Sequence, residues 1–242
     1  MSSQLSGALV VASQSLYEES SSATTDLGAL VFTNDGRAFR YAKCGSTTAL
    51  VSGTLLQSSA EDTADQNLTA VAAAIGDTSL VSTSTITVTA NEYAGGLAII
   101  SVTPGIGKAY KIKNHAAYTA AAPTLTLEDS IQVALTTDSR IDLVRNPYNG
   151  VVVNPTTVTS APTGVALKAL TASYFGWVQV GGIAPILADG ALGVGDPLVA
   201  SNGTAGAVER GAGVAGTQSL VGTAVTGIAT GEVGAVKLKG LL

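Results

Sequence analysis

Thr171–Gly182 reads TASYFGWVQVGG and holds Trp177, the only tryptophan of the chain, beside Tyr174 and Phe175 in a protein with few aromatics. At a period of two, Tyr174, Gly176, Val178 and Val180 share one face, and Phe175, Trp177 and Gln179 share the other. The alternation predicts a strand, ended by a glycine pair. Two roles for the ring face follow. Exposed aromatics would make a platform for sugars. Alternatively, the rings fill the interior of a glycine-rich, aromatic-poor sheet, which needs a few large side chains to close its packing. Burying one ring removes about 150–250 Å² from water, and the structural role is the preferred one. Gln179 would then face a rim or a subunit junction.

Outward from this stretch, the composition sets bounds. The chain has 242 residues, enough for one large or two small β domains. Charged residues make up 12%, about half the usual share for a soluble domain. An apolar content of 46% argues against disorder for most of the chain. Low surface charge is a solubility liability for a monomer, so subunit contacts or docking on a larger body are expected to cover much of the surface. The net charge is −5 with no basic run, which argues against nucleic-acid binding. Cys44 is the single cysteine; it rules out an intrachain disulfide and a CxxC site and fits a reducing cytoplasm. The N-terminal residues lack the pattern of a signal peptide, and no segment approaches a membrane span.

The strand pattern extends along most of the chain and predicts an all-β fold of antiparallel sandwich or barrel domains. Residues 1–26, rich in Ser, Ala, Gln and Thr with an apolar GALVVA inside, read as an extended arm that docks on a neighbour. Residues 27–160 read as an antiparallel β domain. Its first hairpin turns at Asp35-Gly36, with Phe32 before the turn and Phe39 and Tyr41 after it on one face. In the ambiguous 57–79 stretch a strand is preferred to a helix, with Leu68, Ala70, Ala72 and Ala74 on one face. Ile86 and Val88 mark a half-buried strand, LAIISV at 97–102 a buried one, and TPGIG and NPYNG turns. Near 160, VNPTTVTSAPTG resembles a linker or crossover, and residues 161–242 read as a small glycine-rich barrel.

Candidate chemistry is sparse. PGIGKAY is not a phosphate loop, because Val102 stands where the first glycine belongs and Ala109 where Ser or Thr belongs. His115 is the only histidine, and no GxSxG elbow surrounds any serine; surface or hydrogen-bonded core is its ordinary place. One His and one Cys cannot make a zinc site alone. Glu61, Asp62 and Asp65, and Glu128 and Asp129, match no calcium-loop spacing and read as solvated turns. No catalytic, cofactor-binding or metal-binding residue is assigned, and the chain is not expected to be an enzyme. The residues singled out are the aromatics Tyr174, Phe175, Trp177, Phe32, Phe39 and Tyr41, as interface or structural groups.

FTNDGRAFRYAKCG, TANEYAGGLAIISVTPGIGKAYKIKNH, RNPYNGVVV and TASYFGWVQVGG together resemble head structural proteins of tailed bacteriophages. The glycine-punctuated C-terminal third resembles the small β-barrel of capsid decoration, or cement, proteins. The resemblance implies a virion protein made in the bacterial host cytoplasm that sits on the capsid surface. Its partners would be the major capsid protein and itself, as a homotrimer, with no nucleic acid, membrane or cofactor. A receptor- or carbohydrate-binding fibre or knob module is the alternative, with Tyr174, Phe175 and Trp177 as contacts.

Overall fold

The computed structural model describes residues 14–157, 159–211 and 220–240. It is all-β, with nineteen strands and one short 3-10 turn, Thr63–Asp65, among the described residues. Among them, no helix is long and apolar enough to cross a membrane. The chain divides into two compact units. One comprises the described residues up to Ser59 and from Pro147 onward, and the other is Ala60–Asn146.

The first unit is built on a closed barrel. Its strands are β1 (Leu30–Phe32), β2 (Ala38–Cys44), β3 (Leu55–Gln57), β12 (Asn149–Val153), β13 (Pro162–Ala166) and β14 (Phe175–Gly181). The sheet runs β1-β2-β12-β3-β13-β14, and β14 pairs back onto β2. β1 and β2 form the expected hairpin, with Leu30 opposite Arg40 and Phe32 opposite Ala38. At its tip Gly36 has φ +81°, a conformation only glycine adopts without steric cost. β12 is parallel to β2, an exception to the expected antiparallel order. Ala38, Ala42, Cys44, Leu56, Val151, Ala166, Val178 and Val180, drawn from all five closing strands, form one buried cluster. These small and β-branched side chains suit the narrow interior of a small barrel.

Gly182, at φ +81°, turns the chain out of β14. A Cβ there would lie 2.9 Å from the Arg37 backbone, so this close approach admits no side chain. The chain enters a second barrel-like sheet of β15 (Ile183–Leu187), β16 (Pro197–Ala200), β17 (Val208–Arg210), β18 (Leu220–Ala224) and β19 (Val233–Leu238). Its order is β15-β19-β18-β16-β17, and a bridge from Ala188 to Val208 joins its two ends. Leu55 and Val165 of the first barrel share its core with Ala184, Ile186, Leu198, Val221 and Val236.

The second unit has its own core. β4 (Leu68–Thr69), β5 (Ser79–Val81), β7 (Leu97–Val102), β8 (Ala109–His115), β10 (Thr124–Leu127) and β11 (Arg140–Val144) make a sheet in the order β4-β11-β7-β8-β10-β5. Ala70 bridges Ser82, drawing the two edge strands together. β6 (Ile86–Val88) and β9 (Tyr118–Ala121) form a two-stranded ribbon, and Ile86 and Val88 join the same buried cluster as Leu80, Ile100, Ile112, Leu125 and Ile141.

Several expectations change. No boundary falls at 160. β13 and β14 lie beyond it yet complete the barrel begun by β2 and β3, and what interrupts that barrel is the insert Ala60–Asn146. What joins β12 to β13 is therefore a crossover within one barrel, and neither 27–160 nor 161–242 is a self-contained body. Leu97–Val102 is half-buried, with Ala98 and Ile100 inward and Leu97 and Val102 exposed. Leu68 and Ala70 are buried as expected, but Ala72 and Ala74 are exposed, because the chain leaves the sheet after Ala70 and makes only a bridge from Ala73 to Leu135.

The insert leaves and rejoins the barrel from paired strands, since Gln57 of β3 lies opposite Val152 of β12. Replacing 60–146 by a short Gly/Asn turn is therefore predicted to leave a chain that unfolds cooperatively with unchanged Trp177 emission. Residues 60–146 alone are predicted to fold as well. Loss of cooperative unfolding in either piece, followed by circular dichroism in urea, would contradict two separate cores.

Candidate functional site

The pairing of β2 with β14 brings four of the six singled-out aromatics together. Trp177 lies directly opposite Tyr41, Gln179 opposite Phe39 and Phe175 opposite Lys43. Cross-strand neighbours on one face are in contact distance. The Tyr41 and Trp177 rings meet edge to face at 5.1 Å between centroids and 65°, the geometry that the ring quadrupoles favour. Tyr41 and Phe175 stack at 6.2 Å and 13°, and the Lys43 ammonium sits 5.6 Å from the Phe175 centroid.

The Trp177 face points away from the barrel interior. Phe39, Tyr41 and Trp177 form a cluster of their own, packed against Leu16, Leu27, Ala29, Val31, Leu167 and Phe175. The interior is filled instead by the alanines and valines of the opposite face. Trp177 is nonetheless only 2% exposed. What covers it is the N-terminal segment. The Trp177 Nε1–H donates to the Gln14 carbonyl at 3.1 Å, and the Tyr41 hydroxyl donates to Gln14 Oε1 at 2.9 Å. Gln14 Nε2 donates to the Glu18 carbonyl at 2.8 Å. Ser20 and Phe175 exchange backbone hydrogen bonds at 3.0 and 2.8 Å. Glu19 accepts from the Thr171 N–H at 2.7 Å and lies 3.9 Å from the Lys168 ammonium. Both polar groups of the rings are thus satisfied by one glutamine, as a buried tryptophan and tyrosine require.

The arm expected at 1–26 accordingly divides. Residues 1–13 lie outside the described residues, while Gln14–Asp26 pack on the chain's own barrel. Tyr174 is half-buried, and Phe32 is exposed at the end of β1, apart from the cluster. Gln179 does not reach a rim. It is fully buried, and its Nε2 donates to the carbonyls of Gly181 and Ile183 at 2.9 and 2.8 Å, so it pins the turn between the two barrels.

His115 ends β8 as a core residue. Its Nε2 accepts from the Tyr93 N–H at 3.0 Å, which places the proton on Nδ1, where it is donated to the Ala116 carbonyl at 2.7 Å. Both ring nitrogens are engaged, leaving neither for a nucleophile. Cys44 is buried inside the barrel, its thiol directed to the Thr48 and Leu170 carbonyls, and burial raises its pKa. The PGIGK stretch is the β7–β8 turn. Among the described residues no group of three or more His, Cys, Asp or Glu side chains converges as for a metal.

One polar cluster escaped the sequence. Asp65, expected in a solvated turn, is buried and accepts a hydrogen bond from the Tyr93 hydroxyl. The Arg145 guanidinium lies 5.5 Å from the centre of the Tyr93 ring and pairs with Glu92 at 2.5 Å. Burial raises the Asp65 carboxyl above its ordinary pKa, partly offset by the Tyr93 bond. Burial, and then the bond to Asp65, raise the Tyr93 hydroxyl. Only the carboxylate and tyrosine themselves were visible in the sequence, and no spacing links positions so far apart. Compared with known proteins, the chain matches no family profile, no curated protein and no solved structure.

Two predictions follow from this geometry. Trp177→Ala should cost about 3–5 kcal/mol of stability, and Gln14→Ala, which still leaves its backbone carbonyl for Trp177, about 1–3 kcal/mol, both read by urea unfolding. A Trp177→Ala variant within about 0.5 kcal/mol of wild type would contradict a packed ring. For Asp65, a folded pKa above the unfolded one means that stability is fullest at acid pH and is lost as pH rises through the folded value. Asp65→Asn keeps an acceptor for Tyr93 and cannot ionise. Its stability at pH 7 should equal or exceed wild type, with a flatter decline from pH 4 upward; marked destabilisation at pH 7 would show that the charged carboxylate is needed.

Proposed function

We propose that this chain is a structural virion protein that binds the outer surface of a phage capsid and stabilises it. The observation that carries the reading is how the chemically versatile side chains are used. Trp177, Tyr41, His115 and Cys44 are all committed to packing and internal hydrogen bonds. The exposed surface includes isolated apolar side chains such as Phe32, Ile75, Ile106, Ile183, Val194 and Val233. Single apolar side chains are ordinary on any surface; what suits association is the low share of charged residues, 12% of the chain. The phage-like phrases in the sequence point to a capsid as the body it joins, with the major capsid protein and further copies of the chain as partners. The fibre or knob alternative needs an open aromatic platform, and the one formed by Trp177 and Tyr41 is closed by Gln14.

Closure of that face also fixes where the arm can be cut. Removing residues 1–26 would take away the cover of Trp177, so the informative truncation ends at residue 13. Purified protein is added to heads of the encoding phage prepared without it, and bound protein is measured by co-sedimentation and electron microscopy. Saturable occupancy of icosahedral positions is predicted, with deletion of 1–13 weakening it by about tenfold, or ~1.4 kcal/mol, while the fold persists. Absence of the wild-type chain from the heads would overturn the reading. Unchanged occupancy after truncation would remove the arm from it.

A further inference from the structure

β7 differs from its neighbours in the sheet of the insert. β8 reads AYKIKNH, β10 TLTL and β11 RIDLV, and each alternates, with its apolar residues turned to the core. β7 reads LAIISV, a run with the composition of a strand covered on both sides. The structure covers one side. Ala98 and Ile100 lie in the core, while Leu97 and Val102 are 38% and 40% exposed and Ile99 is partly so. β7 stands inside the sheet, between β11 and β8. Register sets Val144, 41% exposed, directly opposite Leu97 on one side, and exposed Ala109 opposite Ile99 on the other. Leu97, Ile99, Val144 and Ala109 therefore adjoin on an outer face that an open antiparallel sheet ordinarily makes polar. A register shift at Arg140 brings Val102 out beside them.

The charged side chains around this stripe are of both signs, and most are answered within the chain. Lys111, opposite Leu97, pairs with Glu128 at 2.9 Å. Asp142, opposite Ile99, accepts from the Asn67 N–H at 2.7 Å. Arg140, opposite Val102, donates to the carbonyls of Thr137, Asp138 and Ser139 at 2.8, 3.0 and 3.0 Å. Lys108 and Lys113 make no ion pair among the described residues, but both are exposed and keep their ammonium groups in water. No field of one sign selects a charged partner here. What is left to cover is apolar.

We propose that this outer face of the insert is where the chain seats on the capsid shell, against an uncharged, apolar patch of the major capsid protein. The inference rests on the capsid-binding role proposed above. Area decides against a second copy as the occupant. The five side chains expose on the order of 250 Å², against the roughly 800 Å² that each partner buries in a stable two-body interface. A contact of that size holds only when several contacts act together on one body. A shell supplies that repetition, and a second copy in solution does not. Because the contact is apolar, salt does not screen it, and sulfate strengthens it.

Titration of the full chain onto heads prepared without it tests this, with folding of each variant checked by circular dichroism in urea. Leu97→Glu with Val144→Lys sets an opposite-charge pair across two strands, which a sheet accommodates, and should weaken head binding by about tenfold or more. Should that pair fail to fold, Leu97→Thr with Val144→Thr replaces it, with a loss of about tenfold expected. Ile183→Thr with Val233→Thr, which removes comparably exposed side chains from the C-terminal barrel, should bind like wild type. Wild-type occupancy should persist in high sodium chloride, and without heads the variants should sediment like wild type. Folded Leu97 and Val144 variants that bind like wild type would overturn the proposal and leave the capsid role standing, as would an equal loss in the Ile183 and Val233 control or occupancy lost in salt. A free variant of lower mass than wild type would make the face a contact between copies and overturn the shell as its occupant. Wild type that never binds heads would overturn this inference and the capsid role together.

Discussion

The antiparallel pairing of β2 with β14 is the constraint on which the first unit depends. It joins residues 38–43 to residues 175–181, so the barrel closes only when the chain returns after the whole insert and the crossover. The two strands do different work on their two faces. Inward, Ala38, Ala42, Val178 and Val180 are small enough to meet across a narrow barrel. Outward, Phe39, Tyr41 and Trp177 make a second apolar layer. That layer would be a large exposed aromatic patch if nothing lay over it. Gln14 resolves the problem by offering a carbonyl to the indole and an amide oxygen to the phenol. The covering segment is thereby fixed to the barrel through polar groups that would be costly to bury unpaired.

Much of this was legible. Period-two alternation gave the strands of the hairpin, of β6 and of β14, and Asp35-Gly36 gave the turn, because each signal is local. The all-β class follows from the same repeated pattern. What stayed hidden was long-range. The boundary was placed at 160 on a change of composition, yet β13 and β14 pair with strands begun more than a hundred residues earlier, and no local pattern records that closure. The face of Trp177 was read correctly as buried, but its place was assigned to the barrel interior. Alternation separates two faces without saying which one is enclosed, and a strand covered on both sides offers no polar face to decide it. Asp65 was misread for a related reason. An acid near other acids looks solvated until a distant tyrosine supplies its hydrogen bond.

The same features bear on the proposed role. The indole N–H of Trp177, the ring nitrogens of His115 and the amide N–H groups of Gln179 are used inside the fold, where they pin an N-terminal segment, a strand end and the turn between two barrels. That economy suits a protein whose task is to hold its shape under load while its surface makes contacts. The surface itself carries scattered apolar side chains such as Phe32, Ile75 and Ile106.

Because Trp177 is the sole tryptophan, the emission of the intact protein reports the covered β2–β14 face and nothing else. Acrylamide quenching of that emission tests the central claim most directly. A blue-shifted band with little quenching until the chain unfolds is the result that a sealed, structural indole predicts. A red-shifted band, readily quenched in the native protein, would show the ring open to solvent and would contradict the account of the barrel, its cover and the closed aromatic face together.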